Sequence, residues 1–206
     1  MSDASPDYEY RGMIASTWDL LRGDYSTWPD RPFYRSIIER AGQPALDVGC
    51  GTGRLLLDYV AAGIDVDGVD NSPEMLALCL KRGAAAGVDV SRRLFEQPMQ
   101  QLDIPRRYRT ILVPSSSFQL VTDPAEAREA MRRFHDHLLP GGVLVMSLML
   151  LVPASPPPHM QWTDWAKAGR QQRPEDGATV RRQIRAKYDY ARQLDHTETW
   201  YEVVRD

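Results

Sequence analysis

A spacing suited to binding a nucleoside-like ligand lies near the start of the chain. Gly49-Cys50-Gly51-Thr52-Gly53 stands between an apolar run, Ala45-Leu46-Asp47-Val48, and a helical pattern from Arg54 to Ala62. Glycines let the backbone turn sharply and let a ligand approach the main chain closely. The N–H groups at the helix start are then expected to receive a polar or negatively charged ligand group. Asp70 follows Gly49 by 21 residues. That interval suits an acid at the end of a second strand, accepting hydrogen bonds from ribose hydroxyls; the alternative is a capping or turn aspartate. Asp47 breaks an otherwise apolar strand, and a buried carboxylate needs partners. A dinucleotide fingerprint wants G-x-G-x-x-G, but here the third glycine comes one residue early and Arg54 occupies its place.

The elements that must position these residues alternate. Ala45–Val48, Ile64–Val69, Val88–Phe95, Tyr108–Val113 and Val143–Leu151 read as five buried strands. Between them the pattern predicts helices over 54–62, from Pro73 to about Ala86, and from Pro124 to about Leu138. Ser72 and Asp123 serve as N-caps, each followed by a proline at the first helical position. A short helix is expected around Met13 to Leu21, and another from Phe33 to Ala41, opened by Pro32. Strands alternating with helices imply right-handed crossovers and a parallel sheet. Ligands in such sheets bind at the carboxyl ends of the strands, which selects the loops after Val48, Val69, Phe95 and Val113. After Leu151 the pattern changes to a proline-rich loop with one short helix. Two β segments follow, Thr179–Tyr190 and Leu194–Val204, expected as an antiparallel hairpin.

Composition bounds the class. A chain of 206 residues with 43% hydrophobic residues suffices for one domain with a sizeable core. A net charge of −3 argues against a nonspecific nucleic-acid binder. Two cysteines, Cys50 and Cys79, are too few for a disulfide framework or a cysteine zinc site, and no metal is expected. The longest apolar run, Val143 to Val152, is too short to span a bilayer, and Met1 to Tyr10 has no apolar signal region. A cytoplasmic protein with no membrane partner, a monomer or a homodimer, is the expectation.

Leu46 to Arg54 resembles motif I of the class I S-adenosylmethionine-dependent methyltransferases, whose recurring form is D-x-G-x-G-x-G. The stretch from Gly68 through Asp70-Asn71-Ser72-Pro73-Glu74 to Leu76 resembles that family's second motif. Leu139-Pro140-Gly141-Gly142-Val143-Leu144 resembles its turn before the fifth strand. These three matches, in order, cover residues 40 to 152. The resemblance implies a Rossmann-like three-layer α/β sandwich, doubly wound around a mainly parallel sheet, with the C-terminal β-hairpin as a cap. It divides the chain into an aromatic-rich helical lid (1–31), a cofactor-binding core (32–152), and a C-terminal part (153–206). That last part is a substrate cap or an oligomerisation element. The family completes its sheet with a sixth and an antiparallel seventh strand, so the β segments either supply these or the sequence is a fragment.

The same resemblance implies S-adenosylmethionine as cofactor, S-adenosylhomocysteine as product, and an N or O atom of a small molecule as methyl acceptor. Its implied cofactor residues are Asp47, Gly49, Cys50, Gly51, Asp70, Asn71, Met75, Gln97, Pro98, Met99, Pro114 and Ser115. Asp47 either contacts the methionine amino group or only holds the loop. Relatives often carry an aspartate for the adenine where this chain has Pro98, which leaves the Met99 N–H and the Gln97 side chain for that role. The family members acting on nucleic-acid or protein amides carry an acid or amide before two prolines after the fourth strand. That motif is absent from Pro114-Ser115-Ser116-Ser117. Phe118, Trp18, Tyr25, Trp162 and Trp165 are candidates for a lid or substrate wall, with Tyr8, Tyr10 and Trp28 nearby in sequence. No catalytic base is assigned: His159 and His196 lie in the cap region, and His135 and His137 on the helix before the fifth strand. A catalytically inactive cofactor-binding protein and a nicotinamide oxidoreductase are the rival readings.

Overall fold

The computed structural model describes residues 10–23, 27–150 and 157–205. Contacts divide the chain into two compact units: Met1–Ala15 with Ser26–Leu148, and Ser16–Tyr25 with Met149–Asp206. Residues 16–25 group with the C-terminal strands, and the residues before them with the core.

The first unit runs α1 (Met13–Ser16), α3 (Asp30–Ala41), β1 (Ala45–Val48), α4 (Leu56–Ala61), β2 (Val66–Asp70), α5 (Pro73–Ala85), β3 (Leu94–Glu96), β4 (Tyr108–Val113), α6 (Pro124–His137) and β5 (Leu138–Met146); α2 (Trp18–Arg22) belongs to the second unit. Its sheet is parallel throughout, in the order β3-β2-β1-β4-β5. Chain order reverses between β1 and β4, which makes their carboxyl ends the switch point. Asp47 sits there, in register with Gly68 of β2 and Leu112 of β4.

Alternation along the strands sends side chains to two cores. Ala45, Val66, Leu94, Leu112 and Val145 meet Tyr34 and Ile38 of α3, Leu56 and Tyr59 of α4, and Leu76 and Cys79 of α5. Leu46, Val48, Val69, Ile111, Val113 and Leu144 meet Ala130 and Phe134 of α6. Helices therefore cover both faces, as expected for strands apolar on both sides. The caps form as the sequence predicts. Ser72 Oγ accepts the Met75 N–H at 3.2 Å, and Asp123 Oδ1 accepts those of Ala125 and Glu126 at 2.7 and 2.9 Å.

The short helix expected around Met13 to Leu21 is split into α1 and α2, and four further elements differ from expectation. The third strand is three residues long, because the Asp89 carboxylate takes the Ser91 N–H and turns the chain before it can pair. Helix α3 begins at Asp30, leaving Pro32 in a first turn where its missing N–H does no harm. Strand β5 begins at Leu138 and ends at Met146, with a register shift as it passes Pro140-Gly141-Gly142; Leu151 lies outside the described residues. In the second unit, β6 (Ala166–Gln172) joins β7 (Thr179–Asp189) and β8 (Leu194–Val204) in an antiparallel sheet, where a loop with a short helix is expected. The charges that interrupt the apolar alternation of this hairpin face each other across the strands. Arg181 opposes and pairs with Glu202, and Arg185 with Glu198. Among the described residues no helix is long and apolar enough to cross a membrane.

Candidate functional site

The glycine loop turns back over the end of β2. Gly49 and Cys50 both donate to Val69 O, at 2.8 and 3.1 Å, and Gly53 donates to Cys50 O at 3.0 Å. Gly51, at φ +55°, donates to Asp70 Oδ2 at 2.8 Å. Four of the loop's N–H groups are thus satisfied inside the protein. What the loop offers a ligand is a bare glycine surface flanked by carboxylates. The Cys50 side chain turns into the core, so only its backbone serves the loop.

Asp70 is held from both sides. Its Oδ1 accepts the Ser72 N–H at 2.9 Å while Oδ2 holds Gly51. Burial raises its pKa, and bonds from the Ser72, Gly51 and Asn71 N–H groups oppose that rise. With three N–H donors on about four lone-pair sites, the carboxylate keeps one site for a further donor. Met75 lies buried beneath the loop, its Cε 3.5 Å from where a methyl group on Gly51 would sit. Pro98 opens a short 3-10 turn over Met99–Gln101, and Met99 packs on the core of Leu46, Val69 and Phe134. The Gln97 side chain is used elsewhere: its amide donates to Asp103 O at 3.1 Å and accepts the Asp103 N–H at 2.8 Å. It closes its own loop, and its backbone N–H ties that loop to Asp70 O.

At the switch point Asp47 is 1% exposed, and its Oδ1 has no hydrogen-bond partner among the described residues. Burial pushes its pKa up to about 7. Arg54 and a bond from the Leu56 N–H oppose the rise, and Asp70 and Asp30 add to it. Arg54 is itself 9% exposed. Its Nη1 and Nη2 donate to the two carboxylate oxygens of Asp30, at 2.9 and 2.6 Å, and Nη2 reaches Ser115 Oγ at 3.2 Å. The Trp28 ring lies 5.2 Å from its guanidinium carbon.

Pro114 ends β4, and its carbonyl accepts from the Ser117 N–H and Ser117 Oγ. Ser115 and Ser116 both take left-handed backbone angles, φ 55° and 60°. Such angles cost a serine about 1 kcal/mol or more each, so the surroundings must hold them. Arg54 holds the first, and Ser147 Oγ accepts the N–H of the second at 3.0 Å. Ser117 backs onto the glycine loop, its Oγ 2.8 Å from where a Cβ on Gly49 would fall. Sequence reasoning missed Asp30, Ser117, Ser147 and the role of Arg54. A signal existed for Arg54: a buried Asp47 needs a nearby cation, and Arg54 is the arginine that closes the motif.

The aromatic candidates separate. Residues 10–12 are tied to the start of α5 beside Asp70. Ser72 Oγ donates to Tyr10 O, and the Gly12 N–H reaches Glu74 Oε2 at 2.8 Å. Trp18 lies in the second unit, with Arg22 3.9 Å over its ring. Trp162 and Trp165 lie there too: Arg185 sits 4.7 and 4.8 Å from their rings, and Lys187 4.7 Å from that of Trp162. Phe118 packs 6.4 Å from Phe134 in the core beneath α6. Tyr25 and Tyr8 lie outside the described residues. His137 is remote from the site, its Nε2 accepting the Ile104 N–H and its Nδ1 facing Arg133 O. His159 Nδ1 accepts the Tyr190 N–H at 3.3 Å.

The methyltransferase domain model matches residues 45–142. A dTDP-3-amino-3,6-dideoxy-alpha-D-glucopyranose N,N-dimethyltransferase of Streptomyces fradiae is 30% identical over 150 residues, 69% of this chain and 56% of that protein. A glycine/sarcosine N-methyltransferase of Halorhodospira halochloris is 28% identical over 67% of this chain and 52% of its own length. The chain therefore spans about half the length of the curated relatives it matches. Among solved structures, an S-adenosylmethionine-bound amino pentose methyltransferase of Micromonospora echinaspora is 25% identical with a TM-score of 0.59, covering 93% of this chain and 82% of that one. A sugar N-methyltransferase of Streptoalloteichus shares the fold at 21% identity and TM-score 0.60, covering 99% of this chain and 84% of the other.

Proposed function

Residues 45–142 of this chain belong to the class I S-adenosylmethionine-dependent methyltransferases, and from that premise we propose that the protein binds S-adenosylmethionine and passes its methyl group to a nitrogen or oxygen of a small molecule. The observation that carries this reading is the buried Asp47 carboxylate, whose Oδ1 finds no donor among the described residues. A buried acceptor of this kind calls for a partner, and the cofactor's amino group is a cationic donor of the right chemistry. The internally bonded glycine loop supports the same reading. A nicotinamide dinucleotide brings a pyrophosphate that wants free N–H groups, whereas S-adenosylmethionine brings cationic centres, which the acids Asp30, Asp47 and Asp70 suit.

In this reading Asp70 accepts from a ribose hydroxyl, using the lone pair its backbone donors leave open. Gly49, Cys50 and Gly51 let the ligand lie against the main chain. Asn71, Met75, Pro98 and Met99 border the adenine, and Pro114 and Ser115 border the methionine end. When bound, S-adenosylmethionine supplies a sulfonium-activated methyl group. The protein's contribution is alignment of the acceptor and exclusion of water, which can supply most of the acceleration. Relatives named for amino sugars and for glycine make an amine the favoured acceptor class.

Calorimetry with S-adenosylmethionine and S-adenosylhomocysteine tests the proposal, with binding of both expected. Asp70→Ala removes hydrogen bonds to a charged acceptor and should weaken binding about tenfold to a hundredfold. Absence of binding by the wild-type chain sinks the reading; unchanged affinity in the variant removes Asp70 from the site. Transfer of labelled methyl to a panel of amino sugars and small amines then tests the acceptor class.

A further inference from the structure

We propose that Arg54 is a positioning residue: its guanidinium fork braces the left-handed Ser115–Ser116 turn against Asp30 and so sets the wall of the site at the end of β4. The inference rests on the reading of this mouth as a cofactor site. Three segments distant in sequence meet at one side chain. Arg54 comes from the loop after β1, Asp30 from the start of α3, 24 residues away, and Ser115 from the end of β4, 61 residues away. Two parallel bonds to Asp30 fix the plane of the guanidinium, and the nitrogen nearest β4 then points its remaining proton at Ser115 Oγ. An arginine does this because its donors form a rigid planar fork; a lysine carries the charge without the fork.

The turn needs the brace. Ser115 and Ser116 hold backbone angles that glycine adopts freely and serine does not. Ser147 holds the Ser116 N–H, and Arg54 is the side chain that bonds the Ser115 hydroxyl among the described residues. Released, Ser115 would relax toward an ordinary angle and carry the Pro114 carbonyl and Ser117 with it, away from Gly49. The charge of Arg54 also bears on Asp47, where it opposes the effect of burial. The groups around that carboxyl are Asp30 and Tyr34 on α3, Tyr59 on α4, Asp70 on β2 and Arg54 itself.

The test is calorimetry with S-adenosylhomocysteine on the full chain, in two backgrounds. In the wild-type background Arg54→Lys should weaken binding about tenfold. In a Ser115→Gly/Ser116→Gly background, where the left-handed turn is unstrained, the same change should cost less than about threefold. A purely structural role would lower the melting temperature in both backgrounds and leave this difference at zero. Equal losses in the two backgrounds, or unchanged affinity in both, overturn the brace while leaving the cofactor reading intact. Absence of binding by the wild-type chain overturns both. If Arg54→Lys does not fold, Asp30→Asn carries the test: it keeps the guanidinium but loosens its plane. A loss of about fivefold is expected, and unchanged affinity overturns the proposal.

Discussion

Taken as part of the proposed site, Asp47 serves stability and binding with opposite signs. Its carboxyl ionises near about pH 4 in an unfolded chain and near about 7 in the folded one, chiefly because it is buried. Between those values the folded protein keeps a proton that the unfolded chain has released. Stability from this group is therefore full below about pH 4, falls as pH rises through that window, and levels off above about 7. Asp47→Asn should flatten this part of the unliganded melting profile. A difference between wild type and variant that does not change with pH would show that Asp47 does not titrate there. Binding runs the other way. A cation held against Oδ1 favours the ionised form, so cofactor affinity should climb as pH approaches about 7 and climb less in the variant. The acid itself was legible in the sequence as an intruder in an apolar strand. Its lack of a second donor was not, because that depends on what the fold brings beside it.

Between β1 and α4 the glycine loop places its residues under unequal demands. A Cβ on Gly53 would lie 2.6 Å from Cys79 Sγ and 2.9 Å from Leu57 Cγ, at φ +81°. Both neighbours are packed in the core, so strain and overpacking add, and Gly53→Ala should cost about 2–4 kcal/mol of stability in denaturant unfolding. At Gly51 the nearest atom would be Met75 Cε at 3.5 Å. Gly51→Ala should therefore cost about 1 kcal/mol while reducing cofactor affinity, since its methyl group occupies the approach. Equal stability losses at the two positions would contradict this division. At this scale the sequence was most readable. Ser72 and Asp123 cap the helices they were expected to cap, because capping is a local contest among neighbouring residues. The third strand is shorter than expected for the same kind of reason, a local turn at Asp89 that outcompeted pairing before Leu94.

Across the first unit the two ends of the sheet do different work. The carboxyl ends carry the proposed site. The amino ends carry an ion-pair network: Arg106 bonds Asp65 and reaches Asp67 Oδ2 at 2.9 Å, the Tyr108 hydroxyl donates to the same oxygen at 2.9 Å, and Arg93 lies 3.6 Å from Asp67 Oδ1. Asp67 is 5% exposed, so loss of a partner leaves a carboxylate poorly compensated. Arg106→Ala should lower stability by about 1–3 kcal/mol, with Arg93 limiting the damage, and leave cofactor affinity unchanged. A weakened affinity would mean that the two ends are coupled through the strands.

Order and type of the main elements, the carboxyl-end loops, and the acids Asp47 and Asp70 followed from the sequence alone. Hydrophobic period, glycine spacing and helix caps are short-range properties, and a parallel α/β sheet is assembled from such units. Tertiary structure alone decided which residues meet. It joined Arg54 to Asp30 and Ser115, satisfied the loop N–H groups from β2, gave the Gln97 amide to Asp103, and paired Ala166–Gln172 with β7. Each of these is a contact between segments whose own patterns are silent about their partner. A charged side chain reads the same in a sequence whether it ends in water or beneath a neighbouring loop.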